Sequence, residues 1–159
     1  MENTLGIAAM AAAITFALAD VADRAARQWS LTDVLRDGIE QRVAGARVHG
    51  HPTHRAPHMV CFSVPEVDSE VLAMALDDRG FRLAVGSMCS GAANDPSPVL
   101  DVMGVPKSPS FRIGLGPETS SDDIARFLDV LPEAVDQLRK MEAASSEALT
   151  RFRPPARGG

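Results

Sequence analysis

The stretch Met59-Val60-Cys61-Phe62-Ser63-Val64 has the regular alternation that predicts a β-strand buried on one side. Val60, Phe62 and Val64 fall on one face of that strand, because successive side chains point to opposite sides. An apolar face of this kind needs a hydrophobic layer to cover it, and the segments before and after the stretch have helical patterns that can supply one.

Helical and strand patterns alternate along the rest of the chain. Apolar spacings of three and four predict helices over residues 4–28 and 31–43, which one bent helix could also provide. The elements predicted after the stretch are a helix over 71–78, a strand over 81–85, a helix from Pro96 to Gly104, a strand over 110–115, and a long helix from Thr119 or Ser120 that Pro132 can kink. This order predicts an α/β fold, with three short strands in one sheet, packed helices and a long N-terminal helix.

Composition and charge narrow the class of protein. The 159 residues suit one domain, and 45% apolar with 23% charged residues is typical of soluble globular proteins. A net charge of -5 and an aromatic content of 4% argue against a nucleic-acid binder. The apolar stretch from Leu5 to Ala19 is shorter than the roughly 20 residues that span a bilayer, and the acidic N-terminus lacks the basic start of a signal peptide. We expect a cytoplasmic protein with reduced thiols and no membrane contact.

Two segments depart from the pattern of an independent domain. The helix over residues 4–28 is rich in alanine and apolar on nearly all sides, which predicts burial on more than one side and therefore self-association or a partner surface. From Ala143 the apolar pattern fades. We therefore predict a domain over residues 1–141, followed by a disordered tail over 142–159.

Cys89 is the first candidate for chemistry. It lies in Gly86-Ser87-Met88-Cys89-Ser90-Gly91, a small and polar segment that predicts a mobile loop. Exposure and mobility suit a nucleophile that has to travel, although only the thiolate attacks and a free thiol has a pKa of about 8.5. The alternative is an incidental loop cysteine.

Arg112 is the second candidate. It stands between two apolar residues in the predicted strand Ser110-Phe111-Arg112-Ile113-Gly114-Leu115. An inward guanidinium needs a partner, and its planar fork suits a substrate carboxylate. The alternative is a strand arginine that faces solvent or forms a salt bridge within the protein.

Four histidines and the second cysteine form a weaker pattern. His49, His51, His54 and His58 cluster just before Cys61, but their spacing matches no zinc motif, and histidines beside prolines in loops are commonly solvated. We therefore predict no metal site. Cys61 alternates with apolar residues on its strand, which predicts a buried or partly buried thiol.

Several segments repeat a known series in order and spacing. They are Arg55-Ala56-Pro57-His58, the loop over 86–91, Asp95-Pro96-Ser97-Pro98-Val99-Leu100, Met103-Gly104, Phe111-Arg112-Ile113-Gly114-Leu115-Gly116 and Thr119-Ser-Ser-Asp-Asp-Ile124. The series resembles the cysteine desulfurases, which read Arg-Leu-Pro-Asn, Gly-Ser-Ala-Cys-Ser, Glu-Pro-Ser-x-Val-Leu, Met-Gly, Arg-Ile/Phe-Ser-Leu-Gly and Thr-x-Glu-Glu-Ile. The resemblance covers residues 2 to 141.

The resemblance implies a fold and a set of roles. It implies the C-terminal small domain of a fold-type I enzyme of aminotransferase class V, whose large domain binds pyridoxal phosphate on a Schiff-base lysine. By the same resemblance, Cys89 is the catalytic nucleophile that takes sulfur from L-cysteine as a persulfide, and Arg112 binds the substrate carboxylate. Enzymes of this family pass the sulfur to an acceptor protein, for instance in iron–sulfur cluster assembly.

The chain also departs from the family pattern. Met88 replaces a small residue, Gly114 replaces a serine, and Met1 stands where the family has a threonine that touches the cofactor phosphate. Lys107 and Lys140 are the only lysines, and neither lies in the family's lysine motif. We therefore expect no cofactor-binding residue in this chain, and no binding of pyridoxal phosphate to the chain alone.

Three hypotheses about function follow. The chain is one part of a desulfurase that is active only with a separate large-domain chain, or a non-enzymatic module that accepts or binds sulfur, or an inactive truncated fragment. The sequence alone does not choose among them.

Overall fold

A computed structural model of the chain describes residues 2–86, 98–105 and 110–151. The elements of the described residues are α1 (Thr4–Leu18), α2 (Val21–Arg42), β1 (Arg47–His49), β2 (Met59–Ser63), α3 (Ser69–Asp77), β3 (Ala84–Val85), α4 (Pro98–Val102), β4 (Ser110–Gly114) and α5 (Ser121–Arg151). Helices and one small sheet make up the fold, so the predicted α/β class is confirmed.

The sheet has four strands in the order β1-β2-β4-β3, and each neighbouring pair is antiparallel. It has one strand more than the sequence predicts, because β1 is too short to show an alternating pattern. Contacts with α2 hold this strand in place. The Glu40 carboxylate accepts a hydrogen bond from the Val48 amide at 2.9 Å, and the Arg36 guanidinium donates to the His49 carbonyl at 3.2 Å.

One side of the sheet, which we call the closed face, is covered by helices. Its residues are Val48, Val60, Phe62, Val85, Phe111 and Ile113. Phe62 and Phe111 are fully buried and stack with ring centroids 5.2 Å apart. Buried residues of α2, α3 and α5 complete the same core. The alternation predicted for Val60, Phe62 and Val64 is therefore what holds the layers together.

A glycine sets how closely the two main helices approach. A Cβ atom added at Gly38 of α2 would lie 2.4 Å from a methyl group of Leu128 in α5. Glycine inside a helix costs about 1 kcal/mol relative to alanine. At Gly38 the burial of Leu128, which packs against the glycine and belongs to the core, offsets this cost.

The bend in the N-terminal helix lies elsewhere than predicted. α1 and α2 meet at Ala19 and Asp20 at an angle of 60°, whereas the sequence indicates a break near Trp29 and Ser30. Thr32 lies inside α2, and its hydroxyl oxygen is 3.1 Å from the carbonyl oxygens of both Trp29 and Pro57. A hydroxyl that bonds back along the helix is compatible with the helix interior, so Thr32 links α2 to the loop before β2.

The last helix extends past the predicted end of the domain. α5 runs through Pro132 and continues to Arg151, ten residues beyond the predicted end of the domain at residue 141. Its last turns contain alanine, glutamate and leucine, which are good helix formers even where no apolar stripe remains. The division into a domain over residues 1–141 and a disordered tail over 142–159 stays a prediction, and residues 152–159 lie outside the described part of the chain.

No single helix in the described residues is long and apolar enough to cross a membrane. The bent pair of α1 and α2 passes the same test by length and composition alone.

Candidate functional site

The side of the sheet opposite the helices holds the candidate site. We call it the open face, and its residues are Arg47, His49, Met59, Cys61, Ser63, Ala84, Ser110, Arg112 and Gly114. All of these residues except Ser63 are exposed or half-buried. Pairing across the four strands places His49, Cys61, Arg112 and Ala84 in one row. This row brings together Arg112, Cys61 and one histidine of the cluster.

Arg112 projects from the middle of β4 and is exposed. Five other arginines each lie 3.7 Å or less from a carboxylate oxygen. No carboxylate within residues 2–86, 98–105 and 110–151 comes that close to Arg112, and the four strands contain no Asp or Glu. Of the two alternatives for Arg112, the internal salt bridge is therefore absent from the described residues, and the side chain faces solvent, where its guanidinium is accessible to an anion.

Cys61 lies directly opposite Arg112 in the neighbouring strand. Burial raises the pKa of the Cys61 thiol, and the positive charge of Arg112 acts in the opposite direction but more weakly. The thiol is therefore neutral at pH 7. This agrees with the partly buried cysteine predicted from the strand pattern.

The predicted nucleophile Cys89 lies outside the described residues, and so does its neighbour Met88. Gly86 is the last described residue before this segment, and its amide donates a hydrogen bond to the Ser110 carbonyl at 3.3 Å. The reactive-loop prediction for Cys89 therefore stays a prediction.

The four histidines have separate roles. His49 shares a hydrogen bond of 2.9 Å between its Nε2 and the Ser63 hydroxyl, and burial lowers its pKa. His51 instead shapes the loop after β1, because its Nδ1 accepts hydrogen bonds from the amides of Thr53 and His54 at 3.1 and 2.9 Å. Among the residues that the structure describes, no three His, Cys, Asp or Glu side chains come together as metal ligands.

One buried cluster was missed as a structural unit at the sequence level. The Arg55 guanidinium donates to the Thr32 hydroxyl at 2.9 Å and to the Asp33 carboxylate at 2.6 Å, and it lies 4.1 Å from the centre of the Trp29 ring. These contacts fasten the loop before β2 onto α2. The available signal was Arg55 in the segment Arg55-Ala56-Pro57 before β2. The partners of Arg55 are more than 20 positions away in the sequence, so this segment alone does not identify them.

A shallow cavity of about 230 Å³ lies away from this row, where β3 separates from β4. Its lining includes Phe81 and Leu83 on one side, Ile113 on β4, and Phe127 on α5. Its lining is mostly on the helical side of the sheet, and Gly114 is the open-face residue that it shares with the surroundings of Arg112.

The described residues do not fit a complete site for pyridoxal phosphate, the cofactor that the resemblance implies. Lys140 is the only lysine among them, and its side chain is exposed on α5, which packs on the closed face. Lys107 lies outside the described residues. A lysine that could hold the cofactor is therefore absent from the described part of the open face.

Comparison with known proteins shows the family. The chain matches the family described as aminotransferase class-V over residues 1–127. The cysteine desulfurase of Cereibacter sphaeroides is 36% identical over 151 residues, which are 93% of this chain and 38% of that protein. The cysteine desulfurase IscS of Methanosarcina thermophila is 32% identical over 143 residues, which are 88% of this chain and 35% of that protein.

A solved structure shows the same fold. The cysteine desulfurase CsdA from Escherichia coli matches with a TM-score of 0.69 at 19% identity, over 87% of this chain and 32% of that chain. The chain thus spans little more than a third of the length of the curated relatives it matches. It belongs to the aminotransferase class-V family and is similar to one part of the cysteine desulfurases.

Proposed function

We propose that this chain is the substrate-binding and sulfur-carrying part of a cysteine desulfurase, and that it acts together with a separate chain that holds the large domain. The observation that carries the proposal is the exposed Arg112, which has no acidic partner among the described residues and stands among uncharged side chains. An amino-acid substrate brings a carboxylate to such a site, and arginine binds carboxylates with two parallel hydrogen bonds.

The proposed reaction converts L-cysteine to L-alanine. Arg112 holds the substrate carboxylate on the rigid strand β4, and the Cys89 thiolate attacks the substrate sulfur. The bond between Cβ and sulfur breaks, a sulfur–sulfur bond forms on Cys89, and a proton replaces sulfur on the substrate carbon. No external oxidant is needed, since the persulfide and alanine together contain all the atoms of the thiol and cysteine.

The cofactor has to come from elsewhere. Pyridoxal phosphate supplies the electron sink for breaking bonds of this type in amino acids. Since Lys140 lies on the helical side, the described residues contribute no lysine for it. The proposal therefore places the cofactor on the large domain and limits this chain to binding and sulfur transfer.

α1 is the proposed contact surface for the large domain. Leu5, Ile7, Met10, Phe16 and Leu18 are all more than half exposed, and the helix contains no charged residue. Contiguous exposed apolar surface usually marks an interaction site. The length of α1 and its lack of a polar side favour a partner that encloses it.

Reconstitution tests the proposal. The chain is co-expressed with the large-domain portion of the Cereibacter sphaeroides relative, and alanine and sulfide formed from L-cysteine are measured with a reducing thiol present. We expect turnover in the complex and none in either part alone. Cys89→Ser should abolish turnover, whereas Cys61→Ser should retain it. Full activity of the Cys89→Ser complex would contradict the assigned nucleophile.

Persulfide mapping on the chain isolated from its own cells separates the remaining hypotheses. Alkylation followed by peptide mass spectrometry should find one extra sulfur on Cys89, removable by a reducing thiol, with Cys61 as the internal control. A persulfide on Cys89 without turnover in any complex would favour a sulfur-accepting module. Absence of both would favour an inactive fragment.

A further inference from the structure

We propose that Cys61, Ala84 and Gly114 are specificity-determining residues of the carboxylate site at Arg112. Their small, uncharged side chains leave the guanidinium free to bind a carboxylate. The inference deepens the proposed function and rests on it for the identity of the ligand.

The strand register places these residues around Arg112. Cys61 lies directly opposite on β2, and Ala84 lies directly opposite on β3. Directly opposite residues have Cβ atoms only about 4.5–5.5 Å apart. Ser110 and Gly114 flank Arg112 on the same face, two positions away along β4.

All four nearest positions on the open face are therefore small: cysteine, alanine, serine and glycine. The long Arg112 side chain stands above them, which explains why it remains exposed although it lies in the middle of the sheet. A larger residue at any of these positions would cover part of the guanidinium. Gly114 has room for this, since a Cβ atom there would lie 3.4 Å from the Met59 sulfur, an ordinary contact distance.

The described residues around Arg112 also carry no negative charge. Five arginines elsewhere in the described chain pair with nearby carboxylates, whereas the next residue in the row beyond Cys61 is the uncharged His49. Burial lowers the pKa of His49 and raises that of Cys61, so both are neutral at pH 7. No anion in the described part of this face competes with the substrate for Arg112.

These features indicate the class of ligand. The planar fork of arginine takes a carboxylate with two hydrogen bonds, which requires access to one edge of the guanidinium. Cys61 and Ala84 offer no charge for a second polar group of the ligand. The site therefore suits a compact amino acid with one carboxylate rather than a dicarboxylate.

Chemical labelling of the full-length chain tests this inference without turnover. Phenylglyoxal modifies accessible guanidinium groups, and peptide mass spectrometry gives the rate at each arginine. We expect Cys61→Asp to slow the labelling of Arg112 by about fivefold, the factor that one partly exposed ion pair provides. Ala84→Val should slow it by covering one side, and Cys61→Ser should leave the rate unchanged.

Two controls keep the result specific. Met74→Asp adds the same charge on an exposed position of α3, on the helical side, and should not affect Arg112. The labelling of Arg82, which is exposed in the loop before β3, should stay constant in every variant that folds. Equal labelling of Arg112 in Cys61→Asp and in the unaltered chain would overturn the inference.

The reconstituted complex distinguishes this inference from the proposed function. In an active complex, Cys61→Asp should raise KM for L-cysteine more than it lowers kcat, because it weakens carboxylate binding. An active complex with unchanged KM and unchanged labelling would refute the inference and leave the function standing. A slowed labelling rate in a chain that never supports turnover would refute the function and leave the inference about the site standing.

Discussion

Phe62 and Cys61 are neighbours in the same strand, yet they belong to different parts of the protein. Phe62 is fully buried on the closed face and stacks on Phe111, whereas Cys61 lies half-buried on the open face beside Arg112. The closed face contributes to the free energy of unfolding by burying apolar side chains. The open face carries accessible polar side chains that can bind a ligand. Alternation along a strand thus separates stability from function within a few residues.

The largest expected effect is on the closed face. Phe62→Ala should lower the free energy of unfolding by about 3–5 kcal/mol, because it removes a buried ring and leaves a cavity. Cys61→Ala, one position away, should cost less than about 1 kcal/mol. Urea unfolding followed by circular dichroism measures both. Similar losses for the two variants would contradict the division between the faces.

Arg55 contrasts with Arg112, because its guanidinium is buried in contacts that stabilise the fold. Its side chain is 7% exposed and contacts Thr32, Asp33 and Trp29. Arg55→Ala should lower the free energy of unfolding by about 1–3 kcal/mol. It should also change the fluorescence of Trp29, the only tryptophan in the chain. The matched control is Arg82→Ala, which removes an ion pair at a side chain that is 92% exposed and should cost about 0.5 kcal/mol or less.

The pH dependence of stability tests the one histidine of the row. Burial lowers the pKa of His49 below its ordinary value of 6.5, so the unfolded chain takes up a proton there more readily than the folded chain. The contribution of uncharged His49 to the free energy of unfolding is fully present above pH 6.5. It is lost as the pH falls through the pKa of His49 in the folded chain. His49→Gln should flatten this part of the profile in urea unfolding. An unchanged pH profile in His49→Gln would contradict the assignment.

The smallest expected effect on stability is at the candidate site itself. Arg112→Gln should change the free energy of unfolding by about 0.5 kcal/mol or less, because the side chain is exposed and has no ion-pair partner among the described residues. The same change should strongly reduce turnover in a reconstituted complex by removing the carboxylate-binding fork. A large loss of stability would show that Arg112 serves the fold rather than the substrate.

The sequence predicted the parts of the fold that leave a periodic signal. The alternation of Val60, Phe62 and Val64 located the central strand, and the predicted helix over 71–78 corresponds to α3. In the structure, Asp68 accepts from the amides of Glu70 and Val71 at the start of that helix. The site prediction stays a prediction, since an exposed Arg112 also fits a strand arginine that faces solvent, and Cys89 lies outside the described residues.

Other elements depend on contacts between distant residues, which a local pattern does not contain. β1 is a strand because α2 holds it beside β2, and Thr32 stays inside α2 because it bonds the Pro57 carbonyl. The predicted strand over residues 81–85 shortens to Ala84–Val85, where β4 offers a partner. A short or ambiguous segment takes the structure that its neighbours in space stabilise.

The sequence by itself determined the fold class, the buried side of the central strand and the ordered motifs that indicate the family, because each depends on periodicity or on local spacing. Only the tertiary structure decided which side chains surround Arg112. Cross-strand pairing brings Cys61 and Ala84 next to it from 51 and 28 positions away. Register is a property of paired strands, so the neutral surroundings of Arg112 emerge only when the sheet is assembled.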